Sequence, residues 1–338
     1  CPSRAPLSVW DRDRAGQNTM LYSYITRAAG LVPLPEGSAL TEAIWIDLYR
    51  PLESQVRAVA ALGYEVPTLA DMEEIEISNR LYTENGRIYM TAVLPGQLPD
   101  GTHVAMPVTF IVDQHRLITV RHHAPRPFET FPARAARSST GCASPARVFL
   151  GLIEDIVGRL ADLSEGVART LDATAGKVLT MTAANDASAL QVSLVTVGQQ
   201  AELMSRVRLG LLSMDRILAY HSSNTAHLQD SARLRPQHAA LQRDIQALEV
   251  HADFLGSRIA MTVDATMGMI SLQQNDRVRI LSVVTALFLP PTLIASIYGM
   301  NFTNMPELEL SWGFPMALCM MVGSAIITFL VLKWRKWL

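Results

Sequence analysis

Counting back from Ser296 alternately by four and three residues meets Thr292, Leu289, Thr285, Ser282, Val278, Asn275, Ser271, Gly268 and Asp264. A strict 4/3 alternation marks one seam of a supercoiled helix bundle. Most of this seam is polar, although its upper half lies in an uncharged stretch. Hydroxyls gain nothing against lipid, so the seam is expected to face protein or water. Two chemistries fit that pattern. One is a helix–helix interface joined by Ser and Thr. The other is the wall of a pore with Asn275 and Asp264 at one end, which needs a symmetric oligomer because two helices cannot enclose a channel. Just past the seam, "YGMNFTNMPEL" (298–308) adds an amide at Asn301 and a carboxylate at Glu307, with Glu309 beyond.

The elements that position these groups are two apolar runs, Ile280–Tyr298 and Phe314–Leu332, each 19 residues without a charge. At about 1.5 Å rise per residue either spans a hydrocarbon core of about 30 Å. Arg277 and Arg279 precede the first run, and Lys333, Arg335 and Lys336 follow the second, beside Trp334 and Trp337. Basic flanks stay on the cytoplasmic side, so both ends are expected there and the acidic loop outside. Pro290 and Pro291 remove two backbone donors in mid-membrane and are expected to bend or loosen the helix.

The first 140 residues or so read as a soluble α/β domain. Thirteen of the 18 prolines precede residue 146. Short alternating runs at 43–49, 87–93, 108–112 and 116–120 predict strands, Asn85-Gly86 a hairpin turn, and 51–62 a helix opened by Pro51. A punctuated stretch at 131–145 marks a boundary. From Ala146 to Arg235 no proline occurs, and Phe149, Leu152, Ile153, Ile156, Leu160 and Leu163 recur at helical spacing. Pro236 predicts the start of a further helix, some 50 residues long, that runs as a stalk into the membrane.

Composition narrows the function. The chain has 338 residues, is 49% hydrophobic and 18% charged, and carries a net charge of −2. It has no global basic field for nucleic acid. Cys1, Cys142 and Cys319 share no metal-ligand spacing. Cys1 suits a processed or trimmed terminus better than a lipoprotein, and no signal peptide is visible in the first 30 residues. The histidines form no HExxH or ligand cluster, and His122-His123 is expected in a solvent-facing loop. No phosphate loop, nucleophile elbow or kinase set is present, so no enzyme is expected.

"YGMNF" followed by "MPEL", after a helix ending "FLPPTLIASI", resembles the CorA magnesium/cobalt transporters. "AIWIDLYRP", "EEIEISNRLY", "DATMGMISLQQN" and the "KWRKWL" terminus are also similar to family segments. The resemblance implies an α+β multidomain membrane protein. Its parts are a cytoplasmic α/β domain (1–140), a long helical stalk or funnel (146–279), a pore-lining membrane helix (280–298), an external loop (299–313), a second membrane helix (314–332) and a basic cytoplasmic tail (333–338). It implies a homopentamer that carries Mg²⁺, with Co²⁺ and Ni²⁺ as further cargo, and needs no cofactor.

By position, Gly299, Met300 and Asn301 become the selectivity filter. Thr292 and Leu289 line the membrane part, with Thr285, Leu281 or Ser282 and Val278 lower down, and Asn275 and Asp264 near the cytoplasmic mouth. Mg²⁺ prefers octahedral oxygen coordination and gives up its waters reluctantly. Five Asn301 amides would therefore accept hydrogen bonds from a hydrated ion, while Glu307 and Glu309 attract cations from nearby. Hydrophobic rings would gate by dewetting. The resemblance also implies cytoplasmic regulatory acids between subunits, for which Asp253, Asp244, Glu73 and Glu74 are the candidates. The rival readings are a zinc transporter of the same superfamily and a membrane-anchored sensor without flux.

Overall fold

The computed structural model describes residues 9–12, 18–27, 30–35, 38–74, 76, 80–180, 187–225, 231–300 and 312–335. Asn301, Glu307 and Glu309 lie outside the described residues. The chain divides into two compact units, one of residues 1–174 and 196–261, the other of residues 175–195 and 262–338.

The first unit is built on a mixed sheet of β1 (Val9–Arg12), β2 (Asn18–Arg27), β3 (Gly30–Pro33), β4 (Trp45–Tyr49), β5 (Leu81–Glu84), β6 (Arg87–Gln97), β7 (His103–Val112) and β8 (Leu117–Arg121). The strand order is β1-β2-β4-β8-β7-β6-β5, with β3 paired to β2. Among the described residues only β4 and β8 pair in parallel. The expected strands are present, and β1 to β3 add to them. Asn85 and Gly86 both take positive φ, 50° and 76°, and join β5 to β6 in the turn whose twist matches a hairpin.

Alternation along β4 sorts the two faces. Ile46 and Leu48 join Ile111, Ile118 and Val120 in a core that also holds Val59 of α1 (Glu53–Ala60) and Met72 of α2 (Leu69–Glu73). Trp45 faces the other way, 5.9 Å from Phe131 of α3 (Pro127–Arg134). On that face Arg121 Nη2 and Asp47 Oδ2 meet at 2.9 Å, with both side chains at most 3% exposed. Thr119 donates to the same carboxylate, so the buried charge is fully hydrogen-bonded. His123 departs from expectation: it is wholly buried, its Nε2 2.8 Å from the Leu94 carbonyl. Gly96 permits this, since a Cβ there would come within 2.5 Å of the His123 ring.

Three long helices follow: α4 (Pro145–Thr180), α5 (Ala187–Asn224) and α6 (Ser231–Tyr298). The α4 positions Phe149, Leu152, Ile153, Ile156 and Leu160 are buried as their spacing predicts. Buried residues of α5 recur at 190, 197, 204, 211 and 218, a heptad that packs one face. Helix α6 is one element of 68 residues, about 100 Å long at helical rise. It starts at Ser231, so Pro236 falls in its second turn and not at its start. It also runs through Pro290 and Pro291. The carbonyls of Ala286 and Leu287 there lose their usual i+4 donors. The last helix, α7 (Gly313–Trp334), belongs with residues 262–298 in the second unit.

Candidate ion pathway

The buried and exposed faces of α6 locate the seam. Ala252, Leu255, Ile259, Thr262, Thr266 and Gln273 are buried, spaced as an internal packing seam. Asp264 lies two residues from both Thr262 and Thr266, about 200° around the helix. The polar seam therefore points away from the face that the chain itself covers. Asp264, Gly268, Ser271 and Asn275 are all exposed. Among residues 281–298 none is buried, and the apolar windows of α6 and α7 are 0% and 6% buried.

Three of the four seam hydroxyls in the apolar stretch bond their own helix. Ser282 Oγ donates to the Val278 carbonyl at 2.8 Å, Thr285 Oγ1 to Leu281 at 2.8 Å, and Thr292 Oγ1 to Phe288 at 2.6 Å. A hydroxyl whose proton is committed inward offers only lone pairs outward. The seam is thus a column of acceptors, suited to the protons of water held around a cation. Leu289, 66% exposed, interrupts it with an apolar position, as Val278 does about three turns away, and Leu281 adjoins the seam beside Ser282.

At its C-terminal end the helix closes on Gly299, whose N–H donates to the Ala295 carbonyl at 2.9 Å, and the Met300 N–H reaches the Ile297 carbonyl at 3.3 Å. A Cβ on residue 299 would sit 3.0 Å from the Ala295 carbonyl oxygen, so glycine lets the chain turn tightly out of the helix.

Of the candidate regulatory acids, Asp244 and Asp253 lie on α6, and Glu73 and Glu74 adjoin at the end of α2. Asp253 Oδ1 is held by Arg208 Nη2 at 2.6 Å. Asp244 is exposed on α6. Glu73 ends α2, and the Glu74 carbonyl accepts from Arg80 Nε at 2.6 Å. No group of three metal-ligating side chains forms among the described residues. Burial, with Asp215 and Asp253 nearby, pushes the Glu249 carboxyl above its ordinary value.

The structure also shows what the sequence reading stopped short of. The same 4/3 step continues below Asp264 through Met261, Ser257, Phe254 and Val250. Met261, Phe254 and Val250 are exposed apolar side chains on one face. Extending the count by two heptads would have found them.

Comparison with known proteins bears on the whole chain. A family model described as CorA-like Mg2+ transporter protein matches residues 41–334. The magnesium transport protein CorA of Haemophilus ducreyi is 32% identical over 324 residues, covering 94% of this chain and all of the relative. The protein of the same name from Pasteurella multocida is 32% identical over 323 residues, with the same coverage. Among solved structures, the complete CorA magnesium transporter from Methanocaldococcus jannaschii superposes with a TM-score of 0.72 at 16% identity, covering 94% of this chain and 98% of that one.

Proposed function

The chain belongs to the CorA-like Mg²⁺ transporter family, and from that premise we propose that it is a homopentameric channel. In this reading it passes hydrated Mg²⁺, and also Co²⁺ and Ni²⁺, into the cytoplasm down the electrochemical gradient. The observation that carries the proposal is the acceptor seam on the uncovered face of α6. One copy cannot enclose an aqueous path, but five copies around an axis would bring their seams together. The exposed apolar residues Val250, Phe254 and Met261 would be covered in the same assembly.

Gly299, Met300 and Asn301 form the filter in this reading. Five Asn301 oxygens accept from the waters of the hydrated ion, and an amide ring binds it more weakly than a carboxylate ring, so the ion is released. Glu307 and Glu309 concentrate cations at the outer mouth. Thr292, Thr285 and Ser282 continue the acceptor path, and Asn275 and Asp264 receive the ion below. Leu289, with Leu281 or Val278, closes the path by dewetting. The protein sits in the inner (plasma) membrane with both termini cytoplasmic, oriented by Arg277, Arg279, Lys333, Arg335 and Lys336. Regulation by cytoplasmic Mg²⁺ would act through Asp253, Asp244, Glu73 and Glu74.

No chemical step is needed to drive transport. An inside-negative potential of about 100 mV favours entry of a divalent ion by about 4.6 kcal/mol. The test is Mg²⁺ uptake by liposomes carrying the purified protein at set potentials. A channel gives uptake that grows with inside-negative potential. A sensor without flux gives none, and a zinc transporter gives Zn²⁺ uptake without Mg²⁺ uptake.

A further inference from the structure

Two cavities in the first unit meet at a pair of arginines. One, of about 650 Å³, lies between α3 with its following turn and α4. The other, of about 720 Å³, lies between the β6–β7 strand ends, α4 and α5. Arg126 and Arg159 line both, so the cavities form two lobes of one trough. Each lobe alone falls in the size range of small-molecule sites.

Glycines shape the first lobe. A Cβ on Gly151 would meet the Phe131 ring at 2.9 Å and Ser138 Oγ at 2.8 Å, so α3 packs close to α4 there. Gly158, two turns on, has nothing within 4 Å and leaves the cleft open.

The charges in this lobe are unequally engaged. Arg134 binds Asp155 at 2.6 Å, and Thr130 donates to the same carboxylate. Glu154 accepts from Ser138 and Ser139. Arg126, Arg137 and Arg159 have no hydrogen-bond or ion-pair partner for their guanidinium groups among the described residues, and neither has the Asp162 carboxylate. Three uncommitted planar donors around one cleft are a phosphate-recognising set. The second lobe adds the apolar Leu163 and Leu203 and the amides of Gln199 and Gln200, together with Glu129 and the Glu202–Arg206 ion pair.

We propose that this trough binds a Mg²⁺-chelated nucleoside polyphosphate. The phosphates lie at Arg126, Arg159 and Arg137, and the nucleoside between Leu163 and Leu203. A magnesium ion on phosphate oxygens is commonly shared with one or two carboxylates, and Asp162 faces the lobe where the phosphates would sit. A free polyphosphate would find that carboxylate repulsive, whereas its magnesium chelate finds a ligand.

The experiment is equilibrium dialysis of labelled ATP against the purified full-length chain in detergent, at fixed ionic strength, with Mg²⁺ or with EDTA. The expected result is saturable binding near one per chain, tighter with Mg²⁺. Arg126→Gln/Arg159→Gln weakens it about tenfold or more. Asp162→Asn removes the preference for the chelate: free nucleotide binds more tightly than to wild type, and Mg²⁺ no longer adds to it. These side chains are exposed or half-exposed, and circular dichroism checks that each variant stays folded. No saturable binding by the wild type, or equal binding by the double variant, overturns the site. Pyrophosphate that competes as well as ATP overturns the nucleoside lobe, and an unchanged Mg²⁺ preference in Asp162→Asn overturns the role of that carboxylate. The readout is binding alone, so the outcome is independent of whether the protein conducts.

Discussion

Thr292 Oγ1 donates to the Phe288 carbonyl at 2.6 Å, one turn below it, while the side chain stays on the exposed face of the helix. The bond fixes the direction of the hydroxyl: proton inward, lone pairs outward. For a passing hydrated cation this is the favourable orientation, because its waters present protons.

Thr292→Val keeps the shape and removes the acceptor, and Thr292→Ser keeps the acceptor. Mg²⁺ flux into liposomes should fall severalfold in the first and stay near wild type in the second. Equal flux in both would assign Thr292 to helix packing.

Exposed Phe254 and Met261, the latter 68% exposed, continue the seam below Asp264. Phe254→Lys/Met261→Lys would put ten like charges around the proposed fivefold axis and should shift the detergent-solubilised protein toward smaller species by light scattering. The single chain should remain folded, since both side chains are mostly exposed and the Phe254 ring meets His251 and Arg258 of its own helix. An unchanged mass would place this face outside the assembly.

Asp253 is already engaged by Arg208. A regulatory cation at Asp253 must displace that guanidinium, so Arg208→Gln should lower the Mg²⁺ concentration that half-inhibits flux, and Asp253→Asn should raise it. If neither variant moves the inhibition curve, Asp253 has no part in regulation.

His221 Nδ1 and His238 Nε2 lie 3.2 Å apart in the helical core of the first unit. Burial, then the neighbouring His238, pushes His221 down to about 3, and burial lowers His238 as well. The unfolded chain takes up protons at these sites below about pH 6.5, and the folded chain resists. Stability is therefore full above about pH 6.5 and falls as pH drops toward the folded values, by about 1.4 kcal/mol per pH unit for each such histidine. Unfolding followed by tryptophan fluorescence from pH 7 to 5 should show this slope, flattened in His221→Gln. The same slope in the variant would contradict the assignment.

What could be read from the sequence was what depends on local period. The seam, the Asn85-Gly86 hairpin, the buried stripe of α4 and both apolar helices each follow from spacing within one element. Long-range approach was not legible. His123 is buried because β6 passes tightly at Gly96, a contact between residues 27 apart in the chain. Strand β2 carries Ser, Thr and Tyr on half-buried positions and shows its nature only when paired with β4. Arg126 and Arg159 look like solvated charges until two cavities are found to share them.

The central claim rests on Asn301, and the most direct test is Mg²⁺ uptake by liposomes carrying wild type or Asn301→Ala at the same protein density and inside-negative potential. The account predicts clear uptake by the wild type and a loss of about tenfold or more in the variant. Equal uptake by the two would contradict the filter.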